Sequence, residues 1–352
     1  MKVDGIKNID YLVDKQKQAL AFDESRDFAE YKKELKAKFI ELTGIDLIKE
    51  NSCEPEFEIE KEERKDGYKQ IRFTFRSEAE EVVPCYLLVP DGSEGKKLPV
   101  VITLQGHSTG FHNSINEPKD EADAEYCKRG QFAVQAVKRG YIALAIEQRG
   151  MGERKGDITD KNRRISVMNP RDAMDYYQQM TNILMGRTLI GGRCVDISKA
   201  IDMLSHFPEC DTEKIVITGN SGGGTASYYA AAYDERIKVC VPSCSFCPYK
   251  ESILRFYHCS CNYIPSAYRY FDMQDISALI APRKLTIIAG KLDPSFLIGG
   301  VERGYETVKR IYAKAGSPLN CKLIETEKGH WWCEDIVWNE IAEQMNSLGR
   351  QK

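Results

Sequence analysis

Histidine is scarce in this chain, with five residues among 352, at positions 107, 112, 206, 258 and 330. Any chemistry that needs an imidazole base therefore has few candidates. Charge of one sign is also missing. Fifty Lys and Arg against 53 Asp and Glu leave a net charge of −3 with no basic block, which argues against a nucleic-acid partner or an anionic membrane surface. No apolar run approaches the roughly 18 residues of a membrane span. The opening MKVDGIKNIDYLVDKQKQ is charged throughout and lacks the apolar segment of a signal peptide. A cytoplasmic location is expected, with the twelve cysteines reduced. Internal repeats and low-complexity tracts are absent from the sequence.

What is present suffices for a large core. Hydrophobic residues make up 42% of the chain, and its length admits one large α/β domain with decoration, or two domains. Residues 1–52 read as a helical N-terminal extension, with Glu24 to Leu42 rich in Glu, Lys, Ala and Leu. The segments FEIEKEE, YKQIRFTFRS and EVVPCYLLVP then predict an antiparallel meander. From residue 98 the texture changes. LPVVITLQG, YIALAIEQRG, KIVITGN, IKVCVPSCS, KLTIIAG and CKLIETE read as buried strands alternating with helices. That alternation predicts an α/β fold: a mostly parallel sheet with helices on both faces and its active site at the carboxyl ends of the strands. Residues 53–352 are expected to form this domain, with an insertion around 245–272.

The stretch KIVITGNSGGGTASYYAAA, Lys214 to Ala232, places three glycines behind a serine. G-N-S-G-G fits G-x-S-x-G, the nucleophile elbow, in which a serine on a tight strand-to-helix turn needs tiny neighbours two residues away on either side. Gly219 and Gly223 fill those places. A glycine-rich turn can also cradle phosphate, but a P-loop requires Lys after its last glycine, and Thr225 follows Gly224 here. The G-x-G-x-x-G dinucleotide fingerprint is not supplied either, so no cofactor is expected.

A serine hydroxyl needs a general base within hydrogen-bond reach. His206 lies in the helical pattern VDISKAIDMLSHF, and His258 in an irregular segment. His330, in EKGHWW, follows the last predicted strand at the end of the sheet where chemistry belongs. Its carboxylate partner is expected to be Asp293, in the loop after the preceding strand. Asp272 and Asp275 precede that strand, at the wrong end of the sheet. The order Ser221, Asp293, His330 is that of α/β-hydrolases. Acyl transfer also needs oxyanion donors. The backbone N–H of Gly222 is one. The N–H of His107, in the loop TLQGHSTGFHN after the first parallel strand, is expected to be the second, with Gly106 permitting close approach and the His107 side chain a bystander or substrate contact.

From about Val82 onward the chain resembles the α/β-hydrolase branch of acetyl xylan esterases, cephalosporin-C deacetylase-like enzymes and dienelactone-hydrolase relatives. The resemblance is carried by QRGMGER, MGRTLIGGRCVDISKAIDML, the GNSGGG elbow, HCSCNYIPSAYRYFDM, IAPRKLTIIAGKLDP and the terminal GH. The family's serine, aspartate and histidine fall on Ser221, Asp293 and His330. Residues 1–52 add little to it, and Gln105 stands where many related hydrolases carry a histidine before glycine. The resemblance implies a small ester as substrate, such as an acetylated saccharide. The reading is a serine esterase acting through an acyl-enzyme, with a prolyl-oligopeptidase-type peptidase and a non-catalytic binding protein on a hydrolase fold as rivals. Oligomeric state is left open.

Three further features need a reading. Cys240, Cys244, Cys247, Cys259 and Cys261 fall close together, but C-x3-C-x2-C followed by C-x-C supplies only one of the two C-x2-C knuckles of a zinc ribbon. No metal is expected. Arg149 is expected to hold a loop. The aromatics Phe246, Tyr249, Phe256, Tyr257, Tyr263, Tyr268, Tyr270 and Phe271, in an insertion that follows a strand's carboxyl end, are expected to cover the active site, with Trp331 and Trp332 nearby.

Overall fold

The computed structural model describes residues 4–156 and 173–348. Each of the nine predicted strand segments forms a strand: β1 (Glu58–Lys65), β2 (Tyr68–Glu78), β3 (Glu81–Pro90), β4 (Leu98–Leu104), β5 (Ile142–Ile146), β6 (Cys210–Asn220), β7 (Ile237–Ser243), β8 (Lys284–Gly290) and β9 (Cys321–Thr326). Among the described residues they make one sheet in the order β1-β2-β3-β5-β4-β6-β7-β8-β9. The meander β1–β3 is antiparallel and joins β5 antiparallel, while β5, β4, β6, β7, β8 and β9 run parallel. This is the α/β-hydrolase fold.

Both faces of the central strands are buried, which is why their sequences read as continuous apolar runs. Val100, Ile102 and Leu104 of β4, with Ile215 and Ile217 of β6, enter one core. Val101, Ala143, Ala145 and Val216 enter the other. Helices Leu189–Met203, Gly222–Tyr233 and Ile298–Lys314 cover the first face, and helices Phe132–Val137 and Glu334–Leu348 the second. Burial of these apolar surfaces, at about 25 cal/mol per Å², is the main stabilising term.

The N-terminal segment is helical over Lys7–Lys15, Phe28–Thr43 and Ile45–Glu50. The second helix starts four residues later than the composition suggests, because the Asp27 carboxylate caps it by accepting the Glu30 N–H at 2.9 Å. Tyr31, Leu35 and Phe39 join the first core, and Phe39 stacks on Tyr229 behind the elbow. The segment is thus packed into the sheet domain rather than hung from it.

Arg149 has the structural place expected of it. Fully buried, it donates to Asp196 at 2.8 and 2.7 Å, to Ser77 at 3.2 Å and to Glu78. Arg154 shares Asp196, and Arg187 shares Glu78. The network ties β2 to the loop after β5 and to helix Leu189–Met203. Removing one member of a buried pair strands the others without countercharge. Arg149→Met is therefore expected to lower the unfolding free energy by about 3 kcal/mol, read by urea denaturation. A loss below about 1 kcal/mol would show that Arg154 and Arg187 compensate.

Candidate active site

Ser221 occupies the turn between β6 and helix Gly222–Tyr233 with φ 57° and ψ −125°, a strained conformation for a residue with a side chain. Two contacts hold it there. Its N–H donates to the Ser243 carbonyl at 2.9 Å, and Thr225 N–H donates back to the Ser221 carbonyl at 2.9 Å. The need for glycine around it is steric. A Cβ on Gly219 or on Gly223 would overlap the Leu104 carbonyl oxygen.

Asp293 and His330 meet although 37 residues separate them. His330 Nδ1 lies 2.8 Å from Asp293 Oδ2. The other carboxylate oxygen accepts the N–H groups of Ser295 at 2.8 Å and Phe296 at 3.2 Å, so the buried carboxylate cannot rotate away. Phe296 stacks on the imidazole at 6.0 Å. The loops that carry the pair are tied by Leu292 N–H to the Lys328 carbonyl, 2.9 Å. Asp272 and Asp275 spend their oxygens elsewhere, on the N–H groups of Tyr249, Met273, Phe22 and Asp272.

The loop after β4 backs against the elbow. A Cβ on Gly106 would come within 2.9 Å of the Asn220 carbonyl and 3.1 Å of Ser221 Cβ. Gln105 anchors the loop, donating to the buried Glu147 at 3.0 Å. Glu147 also accepts Phe111 and Glu153 N–H. Burial pushes its carboxyl up to about 7, only partly countered by those N–H groups. Sequence reasoning singled out Arg149 two residues on and missed Glu147, whose run E-Q-R-G carries no local mark of burial.

Ser221 and His330 line one cleft of about 220 Å³ with Gln105, Gly106, His107, Asn113, Tyr126, Arg129, Phe132, Trp331 and Trp332. Trp331 and Trp332 stand where expected. The insertion does not. None of its eight aromatics lines this cleft. Phe246, Tyr249 and Phe271 are buried, and the Tyr249 hydroxyl pairs with that of Tyr229. The wall is supplied instead by helix Glu121–Gly130 and the loop before it, which Asp123 fastens through His112 at 2.6 Å.

The His107 imidazole divides the cleft from an apolar cavity of about 320 Å³ that Tyr257 and Tyr263 help to line. Its Nδ1 lies over Gly222, where a Cβ would stand 2.7 Å away. On its other side are Cys261 Sγ at 3.4 Å and Asp175 at 3.6 Å. Burial alone would raise the Asp175 carboxyl, yet the His107 and Arg193 contacts hold it down at about 2. His107, Asp175 and Cys261 could converge on a cation, but Arg193, 3.1 Å from Asp175, already supplies the countercharge. A second such group is Cys244, Asp293 and His330, where burial, with Asp293 adding, pushes the Cys244 thiol up to about 11, unlike a thiolate ligand. Three of the clustered cysteines disperse, while Cys261 stays beside His107. Cys240 faces the Ser227 carbonyl, Cys244 that of Trp331 and Cys247 that of Leu297. All twelve cysteines are unpaired.

The Abhydrolase family model matches residues 4–330. The match takes in the N-terminal helices, which the motif resemblance left out. A relative from Bacillus subtilis (strain 168), "Putative hydrolase YtaP", is 27% identical over 258 residues, spanning 71% of this chain and 79% of its own. Among solved structures, one described as a "putative acetyl xylan esterase" from Bacteroides fragilis NCTC 9343 superposes with a TM-score of 0.78 at 18% identity, over 97% of this chain and 95% of the other. "Methylesterase BT1017" superposes with a TM-score of 0.66 at 19% identity, over 97% of this chain and 68% of the other. At these identities the structural likeness establishes the fold. Among the described residues no helix is long and apolar enough to cross a membrane.

Glu147 generates a pH prediction. Its folded-state value, about 7, lies above the ordinary 4.5. Between the two the folded chain keeps a proton that the unfolded chain releases. The contribution is fully present below the ordinary value and is lost as pH rises through the folded one. Glu147→Gln should therefore flatten the fall in unfolding free energy between about pH 5 and pH 8, measured by urea titration at each pH. An unchanged fall would mean that the carboxyl is not held neutral.

Proposed function

This chain belongs to the Abhydrolase family, and on that premise we propose that it is a serine hydrolase cleaving a carboxylic ester through an acyl-enzyme. The observation that carries the reading is the His330–Asp293 pair, 2.8 Å apart, in the cleft that the strained Ser221 also lines. In this mechanism Ser221 Oγ attacks the ester carbonyl while His330 Nε2 takes its proton. Asp293 fixes the imidazole tautomer from the Nδ1 side and stabilises the imidazolium. The Gly222 and His107 N–H groups hold the oxyanion. His330 returns the proton to the leaving alcohol, and water, activated by the same base, releases the acid and restores Ser221.

Acetylated saccharides and similar small esters are the proposed substrates. The cleft is small, and two structures sharing the fold are described as a "putative acetyl xylan esterase" and a "Methylesterase". A reducing, cytoplasmic setting is part of the same proposal.

Two substitutions test the mechanism. Ser221→Ala should fold, lose covalent labelling by a fluorophosphonate and lose ester hydrolysis, apart from a small residue due to binding and the oxyanion donors. Near-normal turnover by the folded variant would end the reading. Asp293→Asn should cost on the order of 10⁴ in turnover, since the imidazole would be held in the wrong tautomer. Asp272→Asn and Asp275→Asn, whose carboxylates bond backbone N–H groups away from the cleft, should cost far less. Initial rates on 4-nitrophenyl acetate give the ranking, and its reversal would move the acid elsewhere.

A further inference from the structure

Among the described residues, the cleft around Ser221 is lined by one arginine, the solvent-exposed Arg129, and by no carboxylate. Neighbouring cations are spent: Lys128 pairs with Glu125 at 2.5 Å, and Arg139 with Glu334 at 3.0 Å. Arg129 has no carboxylate within ion-pair distance and donates no side-chain hydrogen bond among the described residues. The contrast is with Arg149 and Arg193, whose guanidinium groups are buried among acceptors. What holds Arg129 is aromatic. Its guanidinium lies 5.0 Å from the Trp331 ring centroid and 5.9 Å from that of Tyr126.

Stacking of this kind fixes the plane of the guanidinium while leaving its N–H donors unspent. An oriented fork with free donors matches a carboxylate in two-point contact, which the point charge of a lysine would not. The chain as a whole carries −3, so an anion entering the cleft needs a local attraction. Arg129 lies on helix Glu121–Gly130, the same helix that supplies the cleft wall. Trp331 follows His330 directly, so the cation is held by the residue next to the general base.

We propose that Arg129 is a specificity residue that receives a carboxylate of the substrate, and that the ester cleaved at Ser221 belongs to an O-acylated sugar acid. Trp331 and Tyr126 position the guanidinium for that contact. The proposal rests on the ester-hydrolase reading and narrows its substrate class.

The test measures acetate release from a methyl glucuronoside and from a methyl glucoside acetylated at the same ring positions, with 4-nitrophenyl acetate as a third substrate. For the unmodified protein, kcat/KM should favour the acid over the neutral sugar by about 10-fold or more, mostly through KM, and the preference should shrink as salt is raised. Arg129→Gln should lower that ratio by about 10-fold, and Arg129→Lys should keep part of it. Cooperative thermal unfolding confirms that each variant is folded. A ratio near one in the unmodified protein, or an unchanged ratio in folded Arg129→Gln, overturns the proposal. If the unmodified protein cleaves none of the three esters, the ester-hydrolase reading itself fails and this proposal falls with it.

Discussion

Everything at the site depends on how closely β4 and β6 allow the chain to pass at the elbow. The Leu104 carbonyl of β4 points at the turn, and both Gly219 and Gly223 lie against it with no room for a Cβ. That approach forces Ser221 into a backbone conformation that costs on the order of 1–3 kcal/mol. The cost is offset locally, because Ser221 N–H finds the Ser243 carbonyl on β7. It is offset regionally by helix Gly222–Tyr233, buried over almost its whole length between the sheet and the N-terminal helices. Phe39 on Tyr229 therefore does more than fill space. It backs the helix that begins at Gly222, directly after Ser221. An N-terminal segment that contributes no cleft residue still bears on the reactive serine, and its inclusion in the family match is consistent with that.

Charge is handled by two different devices. Away from the cleft, Arg149, Arg154, Arg187, Asp196 and Glu78 form a satisfied buried network that fixes the loop after β5. Such networks contribute geometry more surely than stability, since desolvation consumes much of the Coulomb gain. At the start of that loop Glu147 does the opposite. It is buried, with no cation among the described residues bonded to its carboxyl, and accepts the Gln105 amide and two N–H groups. The loop after β4 is consequently anchored by a carboxyl held up at about 7, while the carboxyls that hold Arg149, despite their burial, are kept below their ordinary range by the arginines around them.

The central strands were legible because burial on both faces leaves a continuous apolar run, and each such run formed a strand. Ser221, His330 and Asp293 were legible because each lies just after a strand, where a mostly parallel sheet exposes loops at its carboxyl edge. The cleft walls were not. EADAEYCKRG reads as a solvated helix, and nothing in its spacing shows that the half-buried Tyr126 and the exposed Arg129 line the cleft. Asp175 and Arg193 are 18 residues apart on two helices and pair only through their packing. The aromatic insertion misled for a physical reason. A segment leaving β7 at its carboxyl end starts beside the site, but Asp272 accepts the Tyr249 N–H at 2.7 Å and the Tyr249 hydroxyl meets Tyr229. Those contacts fasten its two ends to the back of helix Gly222–Tyr233, while its middle, with Tyr257 and Tyr263, lines the cavity on the far side of His107.

That displacement has a consequence for specificity. With the aromatics of the insertion outside this cleft, its lining residues come from three short stretches, residues 105–132, 220–221 and 330–332. The third also carries the base, so Trp331 cannot shift without moving His330. The stretch 105–132 is tethered at its start by Gln105 on Glu147 and braced internally by His112 on Asp123. A cleft built this way is stiff around its reacting atoms and varies mainly through side chains on one exposed helix. Substitution on helix Glu121–Gly130 can therefore change which ester is accepted without disturbing the elbow, whereas substitution at Gly219 or Gly223 must displace the β4 carbonyl and with it the serine.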